Sequence, residues 1–476
     1  MKRKTIESNM PVNTQKRRVI STFMLAMINV AILASLRGFI ILGQTGLSLV
    51  IMLLIAAILF FFPASFISAE LATAWPKRGG IFAWVSQAFG EKWGFVATWL
   101  QWIQNVVWYP TILAFVAGTI SYIFDPDLAE NKFYNMAVIL IIYWGATIIN
   151  LRGMKVSGWF STFCVIIGTL LPGILLIGFG IHWLSVDNPI EIQFNWKNLL
   201  PDTVRKDDFI FFAGIVLLLA GVEVSAVHAK EVENPQKDYP RSILIAALIT
   251  FFIFLLGALS IAIVVPIQEL SLTAGLLQAF SHYLHNNNLS IVVPIVALLI
   301  GIGSLGQITS WIVGPSKGIY AIAANGDLPS FFQKINSKNI PVNILLIQGG
   351  IVSLLSLVYL FMPTVSSSYW ILTVLVAQLY VIMYLFLFAT GIYLRYKYPK
   401  KKRPFKVPGG YVGMWICAVF GTIAALFTLI VGFFPLKSFH IHSVVAYPIF
   451  LLIGIIVLAA IPLFIFSHKN PRWKKK

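Results

Sequence analysis

The sequence predicts an all-α polytopic membrane protein of twelve transmembrane helices, and three observations lead there. Of 476 residues, 58% are hydrophobic and only 11% charged, more apolar surface than a soluble core can hide. Apolar runs of roughly 18–25 residues recur twelve times, each long enough to cross a hydrocarbon layer ~30 Å thick. Lys and Arg crowd into alternate connections between those runs, the pattern that sets orientation in a bilayer.

The elements follow in order. Residues 1–18 are basic and polar, and no small-residue cleavage site follows them. They read as a cytoplasmic tail rather than a cleavable signal. Runs at 19–43, 47–69, 94–124, 134–150 and 157–184 form a first group of five spans, occupying 19–184. Runs at 209–230, 242–266, 290–323, 342–362 and 369–394 form a second group, occupying 209–396. Two more, 411–434 and 445–467, lie outside both groups, and 468–476 is a short cytoplasmic tail. The first and sixth spans carry similar interruptions, "LRGFI" (36–40) and "AGVEVS" (220–225). Matching breaks five spans apart point to two inverted repeats with a binding site near the membrane midplane. No short-period repeat suggests a solenoid.

The formal charge is +18, and topology accounts for it better than nucleic acid does. Of the 35 Lys and Arg residues, 29 lie in or beside the tails and loops on the N-terminal side. Lys132, Lys197, Arg205, Lys206 and Lys437 lie on the opposite side, and Arg37 falls within the first span. Both termini are therefore expected in the cytoplasm, in a multi-pass protein of the cell inner membrane. The tract "RYKYPKKKRPFK" (395–406) is the strongest inside marker. It reads as an orientation signal touching anionic lipid.

Cys164 and Cys417 sit inside apolar runs, so neither a disulfide framework nor a metal site is suggested, and no cofactor is expected. There is no phosphate loop, paired-Cys motif, HExxH or GxSxG. Neither an enzyme nor an ATP-driven pump is predicted.

Charges in hydrocarbon cost about 2.5–3.5 kcal/mol each on insertion scales, so each demands a reason. Glu70, at the end of span two, reads as a helix-end carboxylate paired with Lys77, Arg78 or another cytoplasmic basic group. Glu223 directly follows the Ala220–Gly221 break, where unwound carbonyls accept bonds from a ligand ammonium. From Ser225 a half-helix is expected, its N-terminal end favouring anions. Glu223 reads as functional rather than as glue between helices. Arg37 keeps its charge at any accessible pH, leaving two readings open: a permanent Arg37–Glu223 ion pair, or a contact to an anionic substrate. His228, one turn after Glu223, reads as an interfacial histidine rather than a proton relay. Span eight is rich in small residues suited to close packing, and Gln307 within it is expected to face a cavity or a buried partner. Tyr380 and Tyr384 share a helix face, as a gate over a substrate or as a packed aromatic surface.

Three segments carry a resemblance. "PASFISAELATAWPKRGGIFAWVSQAFGEKWGF" (63–95) resembles the span-two signature of the amino acid–polyamine–organocation superfamily. "GVEVSAVHAKEVENPQKDYPRS" (221–242) is similar to its broken span six, and "SWIVGPSKGIYAIAANGDLP" (310–329) to the end of its span eight. Over nearly the whole chain the nearest branch is the bacterial glutamate/γ-aminobutyrate antiporter family. The resemblance implies a five-plus-five, LeuT-like inverted repeat, alternating access, and exchange of amino acids or their decarboxylated amines. It implies a substrate carboxylate at backbone N–H groups around Gly38 and Phe39, and a substrate amine at the Ala220 and Gly221 carbonyls. Glu223 then matches the family's acidic residue after the break, and Tyr380 and Tyr384 its span-ten tyrosines. The sequence departs from that branch at Gln307, where an acidic residue can occur, and at Arg37, where an uncharged aromatic can. Only about ten residues, "SHKNPRWKKK", follow the last run, so a C-terminal plug over the cytoplasmic mouth is not expected.

The expected function is secondary active transport of amino acids across the cytoplasmic membrane by alternating access, as amino acid/amine exchange, with a small-molecule amino acid or amine as substrate. The alternatives are proton or sodium coupling, with Glu223 as the protonation candidate, and a non-transporting receptor or subunit keeping the fold. A channel would need a repeated pore loop, which the sequence lacks. The bilayer is the expected surrounding, nucleic acid is not a partner, and oligomeric state is left open.

Overall fold

The computed structural model is described for residues 21–33, 35–75, 80–152, 166–192, 194–200, 207–225, 232–286, 289–436 and 445–473. Among these residues the regular structure is helical, with an isolated β-bridge between Ile335 and Pro341. Ten helices are long and apolar enough to cross a membrane. In chain order the elements are α1 (Thr22–Leu33), α2 (Leu36–Gly43), α3 (Gly46–Ala74), α4 (Ile81–Phe89), α5 (Glu91–Phe124), α6 (Lys132–Leu151) and α7 (Ile166–Ser185). The second half continues with α8 (Asp207–Leu219), α9 (Val222–Ser225), α10 (Pro235–Ala262), α11 (Gly275–Asn286) and α12 (Val293–Ala324). It ends with α13 (Val342–Phe361), α14 (Val365–Lys397), α15 (Gly410–Val431) and α16 (Ala446–Ser467).

Every apolar run predicted from sequence carries helix. The stretches 19–43 and 209–230 are the divided ones, which is why neither is among the ten long helices. α10 begins earlier than the run at 242, because Pro235 opens it in the first turn, where a missing N–H costs nothing. Side-chain caps set other starts: Asn131 Oδ1 accepts from the Tyr134 N–H at 3.0 Å for α6, and Thr364 Oγ1 from the Ser367 N–H at 3.0 Å for α14.

α5 and α14 are the most enclosed of the long helices, while α16 turns nearly all of its surface outward. Outward-facing residues such as Ile295, Leu354, Val412 and Ile453 are apolar, as a lipid-facing surface requires. α5 packs against both α12 and α14, so it forms the central pillar. α7 reaches α12 through Gly168 and Gly303, whose backbones touch where any side chain would collide.

Prolines within helices free a carbonyl four residues earlier, and α5 supplies the missing donors. Pro315 in α12 frees the Trp311 carbonyl, and the Tyr109 hydroxyl donates to it at 2.8 Å. Pro462 in α16 frees the Leu458 carbonyl, and the Trp99 indole N–H donates to it at 2.9 Å. Pro63 and Pro172 instead follow π-helical turns at Ala57–Phe61 and Ile166–Leu170, wider turns that relieve the ring's clash with the preceding backbone.

Glu70 closes one end of the bundle. It is 2% exposed and faces two guanidinium groups: Arg395 Nη1 lies 2.7 Å from Oε2, and Arg403 Nε 3.0 Å from Oε1. The Val407 N–H also donates to Oε2, at 2.8 Å. The expectation of a helix-end carboxylate with a basic partner holds, with Arg395 and Arg403 in that role. Lys77 and Arg78 lie outside the described residues.

Removing one partner of a buried ion cluster strands the others, at a cost of about 3–5 kcal/mol. Glu70→Ala is therefore predicted to lower stability by about that amount, measured as denaturant unfolding in mixed micelles. A loss of under about 1 kcal/mol, the range of an exposed pair, would show that the cluster does not hold this end closed.

Candidate functional site

The chain stops being helical at two places that face each other. The first is Ser35, whose backbone is extended (φ −141°, ψ 127°) and whose side chain caps nothing. From Leu36 onward the backbone is helical, and the Gly38 N–H already donates to the Ser35 carbonyl at 2.9 Å. The interruption expected at 36–40 thus lies just before that stretch, and "LRGFI" is the opening of α2. The second break comes after Leu219. Gly221 takes φ +111°, a conformation closed to residues with a Cβ. Helix resumes at Val222 rather than at Ser225. His228 lies outside the described residues.

Hydrogen bonds knit the second break to α14. The Gly221 N–H, which loses its helical partner, donates to the Tyr384 hydroxyl at 2.7 Å. That hydroxyl donates in turn to Glu223 Oε2. Tyr380 donates to Oε1 at 2.6 Å, and Gln101 Nε2 of α5 donates to the same oxygen at 3.0 Å. Glu223 is 3% exposed and Tyr384 fully enclosed. Two tyrosines at i and i+4 therefore act as a pair of donors on one carboxylate, their rings 5.1 Å apart. A buried carboxylate is tolerable only when so satisfied.

Arg37 belongs to a different set of contacts. Its Nη1 donates to Thr111 Oγ1 of α5 at 2.8 Å. The guanidinium carbon sits 5.6 Å from the Trp108 ring centre and 5.8 Å from that of Tyr369, a spacing at which aromatic faces attract a cation. Among the described residues no ion pair joins Arg37 to Glu223, so the permanent pair considered from sequence is not formed. Arg37 Nε is buried and carries no hydrogen bond.

Between the breaks lies a cavity of about 70 Å³ lined by Ser35, Arg37, Ala220, Gly221, Gln307 and Tyr380. Five of the nine residues singled out from sequence thus meet at one place, with Ser35 beside them. Glu223 and Tyr384 stand directly behind Tyr380 and Gly221. Gly38 and Phe39 do not reach the cavity wall. A Cβ on Gly38 would lie 2.7 Å from the Phe254 ring, and Phe39 packs edge-on to that ring at 6.2 Å, so both seat α2 on α10.

The remaining wall was not anticipated. Gln104, Asn105 and Trp108 of α5 and Trp311 of α12 line the same cavity, and Asn105 Oδ1 is buried without a hydrogen bond. "QWIQNVVW" (101–108) held the signal: Gln101, Gln104, Asn105 and Trp108 fall at i, i+3, i+4 and i+7, one stripe of an otherwise apolar helix. Leu33, Leu217 and Leu218 complete the wall, so an orphaned donor on Arg37 and an orphaned acceptor on Asn105 belong to residues that border one chamber of mixed polar and apolar lining.

The sequence is similar to known transporters along most of its length. The family model described as amino acid permease matches residues 19–458. An uncharacterized transporter of Legionella pneumophila is 40% identical, covering 95% of this chain and 97% of that protein. A glutamate/gamma-aminobutyrate antiporter of Lactococcus lactis is 35% identical over 90% of this chain and 86% of its own length. The human cystine/glutamate transporter is 26% identical over 90% of this chain and 80% of its own. A multi-pass helical membrane protein with a polar chamber at two helix breaks, matched along nearly its whole length, this chain belongs to the amino acid permease family.

Proposed function

We propose that the chamber between the two breaks is the substrate site of a secondary amino acid transporter that works by exchange. The observation that carries this reading is that both broken helices, far apart in sequence, line one cavity that also holds Arg37, Gln104, Asn105 and Gln307. The N-terminal end of α2 at Ser35 has no side-chain cap; its unpaired N–H groups suit a carboxylate. The Gly221 carbonyl accepts from the Val224 N–H at 3.0 Å, but the helix ladder is interrupted before it, and carbonyls at the end of α8 that lose their helical partners suit an ammonium. An α-amino acid carries both groups and bridges the two breaks. Glu223 makes the ammonium end electrostatically favourable from behind Tyr380. Arg37 offers a second cationic contact, for a side-chain carboxylate.

Counting the two divided stretches as crossings gives twelve spans. The reading treats spans one to five and six to ten as LeuT-like inverted repeats rocking about this site, with Tyr380 closing over the substrate. The distribution of Lys and Arg supports cytoplasmic termini in the inner membrane. The name of the Lactococcus lactis relative supports glutamate and γ-aminobutyrate as the exchanged pair.

Counterflow in proteoliposomes tests this directly. Vesicles loaded with unlabelled glutamate or γ-aminobutyrate are expected to accumulate labelled glutamate, and empty vesicles are not. Glu223→Gln preserves the shape but not the charge. It is predicted to cut exchange by at least about tenfold, the scale of one lost charged hydrogen bond, while the protein stays monodisperse. An undiminished rate in that variant would remove Glu223 from the mechanism.

Arg37→Ala separates two roles for the guanidinium. Affinity for glutamate is predicted to fall at least about tenfold, and affinity for γ-aminobutyrate, which has a single carboxylate, far less. Equal losses for both substrates would make Arg37 a structural residue held by Thr111.

A further inference from the structure

At the end of the bundle closed by Glu70, the loop between α14 and α15 forms a second cavity. It measures about 540 Å³ and is walled by Lys400, Lys401, Lys402, Arg403 and Lys406, with Gln236 and Pro240 at the start of α10 opposite. The four lysines are exposed. Among the described residues none of them forms an ion pair with a carboxylate. The four lysine charges, with Arg403 among them, fall within seven consecutive residues, and the folded loop keeps their backbone positions close together.

That closeness is built in. Arg403 donates through Nη1 to the Tyr398 and Lys401 carbonyls at 3.0 Å, and through Nη2 to the Leu394 carbonyl at 3.0 Å. Its Nε faces Glu70, and the Phe405 and Val407 N–H groups bind Thr73 and Glu70. Arg403 is thus consumed in fixing the loop, and Glu70 is shared between two arginines. Lys406 also feels the Glu70 charge and Lys401 lies over the Trp75 ring at 6.0 Å, yet none of the four lysines ion-pairs with a carboxylate among the described residues, and all four line an open cavity.

The cavity also lies beside a membrane-facing surface. The Tyr396 and Tyr411 rings lie 4.9 Å apart, tilted by 36°, the Trp415 indole donates to the Tyr396 hydroxyl at 3.0 Å, and Val412 and Ile416 are exposed. Exposed Tyr and Trp at a helix end mark the headgroup level of a bilayer, with apolar side chains just below. We propose that this cavity binds the phosphate of an anionic phospholipid, whose acyl chains lie along the start of α15. The shared chemistry is a phosphate held by lysine ammonium groups. The adjoining apolar surface selects a lipid over free phosphate.

The test uses the purified full-length protein in detergent. It is titrated with short-chain phosphatidylglycerol, with phosphatidylcholine of the same chain length, and with inorganic phosphate, and bound species are counted by native mass spectrometry. The expected result is phosphatidylglycerol binding that phosphatidylcholine does not reproduce. Each single Lys→Gln change at 400, 402 or 406 weakens it about fivefold, and the triple variant on the order of 100-fold. The triple Lys→Arg variant retains binding. Equal phosphatidylglycerol binding by wild type and the triple Gln variant would overturn the proposal. So would inorganic phosphate binding as tightly as the lipid, which would make this a free-anion site.

Discussion

Inside hydrocarbon, a backbone that leaves the helix must find new partners for its N–H and C=O groups. The chain running from the Gly221 N–H through the Tyr384 hydroxyl to Glu223 meets that demand at the second break. It also makes the break useful. The carboxylate is fixed behind the cavity by Tyr380, Tyr384 and Gln101, while Ala220 and Gly221 line the chamber. Without Tyr384 the Gly221 N–H would be stranded, and without Glu223 the two tyrosine hydroxyls would lose their common acceptor. Stability of the break and polarity of the site therefore rest on the same few atoms.

The same rule extends beyond the site. Tyr109 and Trp99 of α5 reach the carbonyls that Pro315 and Pro462 release, so α5 stabilises two kinked neighbours while its amide stripe lines the cavity. Arg37 finds Thr111 on that helix as well. A helix that carries both structural donors and chamber residues couples packing to the site: movement of α12 against α5 shifts Trp311 and the cavity wall together. The arginine cluster on Glu70 does the corresponding work at the bundle's end, where α3, α14 and the following loop converge.

Local signals in the sequence identified the apolar runs, the Gly221 break, Glu223 beside it and the Tyr380–Tyr384 pair, because each is visible within one or two helical turns. Gln307 was noticed for the same reason, being bulky and polar among small residues. What was less legible depended on distance along the chain. The partners of Glu70 lie more than 300 residues away, and no periodicity announces such a pairing. The break in the first run is expected from sequence at 36–40, where Arg37 and Gly38 interrupt the apolar pattern, whereas Ser35 is the extended residue and Gly38 makes room for Phe254. The amide stripe on α5 was legible but masked by the apolar residues between its members, which made the segment look like any buried helix.

The central claim is that one substrate spans the two breaks. An experimental density map of the protein with bound glutamate tests it most directly. The account predicts density for the α-carboxylate at the backbone N–H groups after Ser35, for the side-chain carboxylate at the Arg37 guanidinium and for the ammonium at Ala220–Gly221, with Glu223 still held by Tyr380 and Tyr384. Substrate density elsewhere in the bundle, with the chamber between the breaks empty, would contradict it.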